Sequence, residues 1–175
     1  AGVQPPALEL VFTEDAGPAS RPPLHAHVYV RPFARHFLEA AARTFEVVVF
    51  TASAPVYADR VLDYLDPTGA LISHRLYRQH CTELFGSFFK DMRRLGRPLE
   101  RVVLVDNSPL AVGLSPESAI VVSSWFGEDL DEAELMELLD VLGECAACDS
   151  VPAFLAERYA FAEFLERQRA DANRK

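Results

Sequence analysis

The sequence predicts an α/β domain with a mainly parallel central sheet, helices on both faces and a small β-hairpin near the N-terminus. Three observations point there. Short unbroken apolar runs rich in valine recur at Glu46–Phe50, Arg101–Val105 and Ala119–Val122; stretches with helical spacing of apolar residues lie between and after them; and residues 8–30 alternate in strand fashion around a loop. Unbroken β-branched runs suit strands covered on both faces, as in parallel sheets, whereas alternation suits a half-exposed hairpin. Parallel neighbours need crossover connections, and the intervening helices provide them.

The elements follow in chain order. "LELVFTED" and "LHAHVYVRP" flank "AGPASRPP", whose prolines and glycine mark an irregular loop between antiparallel strands. His25 and His27 share one strand face and, with no third ligand in reach, read as its solvent side. From Pro32 the spacing of Phe33, Phe37 and Ala41 predicts a helix, with Pro32 in its first turn. After the strand Glu46–Phe50, "VYADRVLDYLD" predicts a helix with Tyr57, Val61 and Leu65 in one stripe, ended by "PTG" after Asp66. Residues 70–90 read as short strands or an extended crossover. Asp131 and Glu134 predict a capping box for a helix whose apolar face is Leu135, Leu138, Leu139 and Leu142. A last helix runs from Val151 to about Arg169 through Phe154, Phe161 and Leu165, with residues 166–175 as a charged, frayed tail.

A chain of 175 residues that is 50% apolar predicts one domain with a substantial core. Its net charge of -9 opposes a phosphodiester backbone or an anionic membrane and favours a basic peptide partner. No apolar run approaches the roughly 18 residues that span a bilayer, and "AGVQPPALEL" lacks the layout of a signal peptide, so a soluble chain is expected. Cys81, Cys145 and Cys148 are odd in number, which suits a reducing compartment; "CAAC" lacks the second ligand pair of a zinc site and reads as small residues at a helix end.

The chemistry is expected where parallel strands end, because loops and helix N-termini converge at that rim. "EVVVF" stops at Thr51-Ala52-Ser53 and "RVVLV" at Asp106-Asn107-Ser108. Asp106 could instead cap the next helix, but two polar tips together favour a ligand site. Asp and Asn supply hard oxygen ligands of the kind that hold Mg2+, and the Thr51 hydroxyl with the amides after it suits a phosphate. The positive charge is carried by 15 arginines and two lysines, of which Lys90 is the internal one. A retained lysine marks a place for a compact ammonium, which could neutralise a transferring phosphoryl group.

The segments "VVFTAS", "LYRQHC", "FFKDMRRLGR", "VVLVDNSP" and "SSWF" keep order and spacing from about Val28 to about Leu155. In these the chain resembles the small C-terminal-domain phosphatases of the haloacid dehalogenase superfamily. That resemblance implies a magnesium-dependent protein Ser/Thr phosphatase acting on a phosphorylated protein or peptide. It implies that Thr51 holds the phosphoryl group and Lys90 neutralises it and positions the nucleophile. Asn107 would ligate magnesium, Asp106 would support the metal's shell, Arg78 would contact substrate phosphate, and Ser53 and Tyr57 would line the peptide site. A nuclear, nuclear-envelope or cytoplasmic setting goes with it.

One part of the resemblance fails. The family's first motif, an apolar strand followed by D-x-D-x-T, supplies the attacking aspartate and a second acid. The nearest stretch here is "LELVFTEDAG", which puts Thr13 in the nucleophile's place and Asp15 in that of the second acid. Threonine there forms no acyl-phosphate. Two expectations follow: a phosphatase domain whose first central strand lies upstream of Ala1, or a pseudophosphatase that binds peptides, as does the mitochondrial translocase receptor of this fold.

Overall fold

The structure, a computed structural model, describes residues 5–12 and 24–159. Thr13, Asp15, Phe161, Leu165 and the tail 166–175 lie outside the described residues. The hairpin forms as expected: β1 (Leu8–Phe12) pairs antiparallel with β2 (Leu24–Val28), Leu10 opposite Ala26. Leu10 and Val28 are buried, while Glu9, Val11, His25 and His27 are exposed, as strand alternation requires.

Helix α1 (Ala34–Ala41) starts later than the apolar spacing implies. Phe33 is its N-cap in a left-handed conformation (φ 61°) and is half exposed, so Pro32 lies outside the helix and Phe33 off its core stripe. Ala41 is buried, and Ala34 and Phe37 reach the core. In α2 (Pro55–Leu65) the buried positions are Ala58 and Leu62, one residue on from the expected stripe. Its end is set by the buried Asp66, whose carboxylate accepts from the Ala70, Leu71 and Ile72 amides at 2.9–3.0 Å.

Two parallel pairs form the sheet layer. β3 (Val48–Phe50) pairs with β4 (His74–Leu76), Val49 opposite Arg75; β7 (Leu104–Asp106) pairs with β8 (Ala119–Val121), Val105 opposite Ile120. Between them, residues 70–90 resolve into β4, a 3₁₀ turn at Arg78–His80, and a hairpin of β5 (Thr82–Leu84) and β6 (Ser87–Phe89). Its two-residue turn puts Phe85 and Gly86 at φ 53° and 74°, the left-handed pair that a tight hairpin needs.

Side chains alternate across this layer. Val103, Val105, Ile120 and Val122 face a core built with α1, α3 (Glu134–Ala147) and α4 (Val151–Tyr159). Leu104, Ala119, Val121 and Phe50 face the other way, onto Met92, Leu95 and Val112. Around Leu104 and Ala119 the residues packed on that face come from 3₁₀ turns and a loop. The fold is α/β.

The capping box at Asp131 does not form. Ala133 is the N-cap of α3, without a side-chain hydrogen bond, and Glu134 is drawn elsewhere. Its carboxylate accepts from the Ser123 amide at 3.0 Å and from Arg31 at 2.6 Å, and Arg31 also holds Glu132 at 2.8 Å. A guanidinium fork with two carboxylates outcompetes a local cap.

The two pairs share no ladder among the described residues, so β3 and β7 each keep one open edge. This corrects the expectation that both apolar runs are fully covered: Val47, Val48, Val49 and Phe50 are only half-buried, as are Val102, Val103 and Val105.

Candidate active site

Thr51 leaves β3 with its amide bound to Leu76 O at 2.8 Å, so the ladder with β4 fixes its backbone. Its Oγ1 accepts from the Ser53 amide at 3.1 Å, a local turn that keeps the hydroxyl at the rim. The Ser53 carbonyl accepts from the Arg78 amide at 3.1 Å, and Arg78 Nε donates to Ala52 O at 2.6 Å. The guanidinium also lies over the Phe88 ring, 5.2 Å from its centroid. Thr51, Ser53 and Arg78 are thereby one assembly. It is buttressed by Tyr77, whose hydroxyl donates to Asp59 at 2.5 Å while Arg75 bridges Asp59 and Asp63. The Tyr77 hydroxyl holds the Asp59 carboxyl below the usual range, against a smaller upward push from burial.

Lys90 directly follows β6, where its amide donates to Ala111 O at 2.7 Å. The loop that supplies this carbonyl packs closely: a Cβ on Gly113 would lie 3.3 Å from both Leu110 O and the Phe89 ring. The Lys90 ammonium pairs with Asp106 Oδ2. Both side chains are largely buried, 13% and 7% exposed, so the pair is shielded from water. The other Asp106 oxygen accepts from the Ser108 amide at 2.8 Å, the strand-ending turn that "DNS" encodes. Asn107 donates from Nδ2 to Ser124 Oγ at 2.9 Å, which turns its carbonyl oxygen the other way.

Cys81 joins the two halves. Its thiol lies 3.8 Å from the Thr51 carbonyl; burial pushes its pKa up, Lys90 and Arg78 pull it down, and Asp106 pushes it up. The Cys81 thiol thus lies against the Thr51 carbonyl and within electrostatic reach of Arg78, Lys90 and Asp106. Tyr57 lies in the first turn of α2 with its ring against Phe12, 6.2 Å between centroids. Its described ring contact is with the hairpin.

Sequence reasoning missed Cys81, although "LYRQHC" contains it, and assigned Lys90 and Asp106 separate partners where the structure binds them together. Magnesium finds an incomplete donor set: the Asn107 carbonyl is open, but Asp106 is engaged on both oxygens. Among the described residues no three His, Cys, Asp or Glu side chains gather to hold a metal. These residues alone do not fit the ion.

A polar cluster held where two parallel strand pairs end, over a core of this layering, defines a haloacid dehalogenase-type α/β domain. The chain belongs to the NLI interacting factor-like phosphatase family, which matches residues 9–152. It is 47% identical over 131 residues to a probable C-terminal domain small phosphatase of Dictyostelium discoideum, covering 75% of this chain and 42% of that one. It is 40% identical over 131 residues to CTD nuclear envelope phosphatase 1 of Xenopus laevis, covering 74% and 54%. The chain thus spans about half the length of these curated relatives. The fold is also that of Fcp1, an essential RNA polymerase II CTD phosphatase, with a TM-score of 0.55 at 23% identity over 78% of this chain and 40% of that one.

Proposed function

We propose that this chain belongs to the catalytic domain of a magnesium-dependent protein Ser/Thr phosphatase whose nucleophilic aspartate stands on a strand outside its 175 residues. The observation that carries this reading is the buried Lys90–Asp106 pair at the end of β7. A binding-only domain has no chemical need to hold an ammonium at a strand rim. Shielded there, it is preorganised to meet the negative oxygens of a phosphoryl group.

In this reaction the missing aspartate attacks phosphorus and the serine or threonine oxygen leaves, taking a proton from the second acid of the same strand. Water then attacks the acyl-phosphate, that acid accepts its proton, and free phosphate and the carboxylate are restored. The Thr51 hydroxyl and the amides after it hold the phosphoryl oxygens, Lys90 neutralises them and Asp106 aims Lys90. Arg78 contacts the substrate phosphate, and Ser53 and Tyr57 line the peptide site. Were magnesium bound, Asn107 would offer it one oxygen ligand, Asp106 would support its shell, a carboxylate from the added strand would have to complete the set, and the ion would supply charge neutralisation at the phosphate. Domain residues 1–175 act as one unit in this reading, and the nuclear-envelope relative supports a nuclear or nuclear-envelope setting.

The test is phosphopeptide hydrolysis with magnesium by the 175-residue chain and by the same chain preceded by a D-x-D-x-T strand. No turnover is expected from the first and turnover from the second. Hydrolysis by the shorter chain places the nucleophile elsewhere, and inactivity of a folded longer chain favours the pseudophosphatase.

A further inference from the structure

The hairpin of β5 and β6 turns on Phe85 and Gly86, both at positive φ, 53° and 74°. Such a corner favours asparagine or glycine at its first place, because a larger side chain at positive φ crowds the backbone. Here that place holds a phenylalanine, and its ring is fully exposed. No other large apolar side chain among the described residues is as bare, the next being Phe126 at 81%. Phe85 therefore costs the fold twice, once in backbone strain and once in apolar surface left in water.

No packing offsets that cost. The hairpin is secured at its other end, where the Lys90 amide donates to Ala111 O at 2.7 Å and the Phe89 ring lies against the loop at Gly113. From Glu83 to Gly86 every residue is exposed, so the tip stands clear of these anchors.

The position of the hairpin shows what the tip can meet. Cross-strand pairing sets Glu83 opposite Phe88, and the Arg78 guanidinium lies over the Phe88 ring. Arg78 donates from Nε to Ala52 O, and among the described residues no carboxylate pairs with it, so its terminal N–H groups are open to an anion. β6 leads directly into Lys90. The tip thus continues the edge of the proposed phosphate site. Phe85 stands three residues from Phe88, about 10 Å at the rise of a strand, and three residues of an extended substrate cover the same span.

We infer that Phe85 is a specificity-determining residue: its ring takes up an apolar side chain three positions from the phosphorylated residue of the substrate. The phosphate at Arg78 rests on the phosphatase reading above. An apolar partner is the one that gains, since contact removes both surfaces from water, whereas a polar side chain would give up hydration without a hydrogen bond in return. A two-residue corner also leaves the ring little backbone freedom to lose on binding. A lipid surface fits less well, because the net charge of -9 opposes an anionic membrane.

The test measures fluorescence anisotropy of labelled phosphoserine peptides with the 175-residue chain. One peptide carries phenylalanine three places before the phosphoserine, one carries it three places after, and a third has glutamine at both. At least one phenylalanine peptide is expected to bind about tenfold tighter than the glutamine peptide, the worth of burying roughly half a phenyl ring. Phe85→Asn is expected to abolish that difference while raising the urea midpoint, because asparagine tolerates positive φ. Phe85→Leu is expected to keep most of the preference. A residue that serves only the turn would shift the midpoint and leave the peptide preference alone, and that result overturns the assignment. Equal binding of the three peptides, no phosphopeptide binding, or Phe85-dependent capture by phosphatidylcholine vesicles without a peptide preference overturns it as well. Hydrolysis by the chain preceded by a D-x-D-x-T strand separates the two ideas. A Phe85-dependent preference without turnover keeps the apolar contact and refutes the phosphatase reading; turnover indifferent to the flanking residue and to Phe85 does the reverse.

Discussion

Replacing Asp106 by alanine leaves the Lys90 ammonium buried without its counter-ion and deprives the Ser108 amide of its acceptor. With 13% and 7% of the two side chains exposed, solvent screens the pair little. Removing one member of such a buried pair costs about 3–5 kcal/mol, most of it the burden of the stranded charge. For a chain of this size that lowers Tm by roughly 6–20 °C. The double variant Lys90→Met with Asp106→Leu removes both charges and fills similar volume, so it should lie within about 2 kcal/mol of the parent. Equilibrium urea unfolding followed by circular dichroism measures all of these, and the cycle isolates the coupling. A loss below about 1 kcal/mol for Asp106→Ala, the range of an exposed ion pair, would refute the shielding argument.

Asp66 gives a pH prediction. Burial raises its pKa, but hydrogen bonds from the Ile72, Leu71 and Ala70 amides and from Thr68 lower it more, so the folded value lies below the ordinary one. Its stabilisation is therefore full above the unfolded carboxylate pKa of about 4 and is lost as pH falls through the depressed folded value. Asp66→Asn should flatten the acid limb of a stability–pH curve, and an unchanged limb would contradict this. Arg31→Ala should cost about 2–3 kcal/mol in urea unfolding, because it severs α3 and the Ser123 carbonyl from the end of β2. Arg31→Lys should recover at most half of that, as a point charge replaces a fork. Burial pushes Cys145 up to about 11, so alkylation at pH 8 should label Cys148 well before it; the reverse order, read by mass spectrometry, would contradict its burial.

The strands were legible in sequence because a run such as "RVVLV" encodes its own preference for extended, covered backbone. Their pairing was not, because ladder partners are chosen by distant residues, and nothing local to "EVVVF" says that its second edge stays open. Helix starts failed for related reasons. Phe33 has the right spacing but takes a left-handed turn, and Glu134 has the right position for a capping box but a better partner in Arg31. In α2 the buried positions Ala58 and Leu62 fall one residue on from the apolar stripe read in the sequence. Residues 70–90 were legible as short strands or an extended crossover but not as particular pairs, since strands of three residues are shorter than any period that could reveal them. At the site, the tips Thr51 and Asp106 were found by the logic of strand ends, and Lys90 by its rarity. Their mutual contacts were not, since pairing across sixteen residues depends on the loop clamp at Ala111.

In the proposed phosphatase the ammonium of Lys90 serves phosphoryl transfer as well as neutralising Asp106. The direct measurement is kcat/KM for phosphopeptide hydrolysis by the chain preceded by a D-x-D-x-T strand, with and without Lys90→Met, at a temperature where circular dichroism shows both folded. A fall of about 10²–10³ is predicted from the loss of one preorganised charge. A folded Lys90→Met protein that keeps near-parental kcat/KM would contradict it.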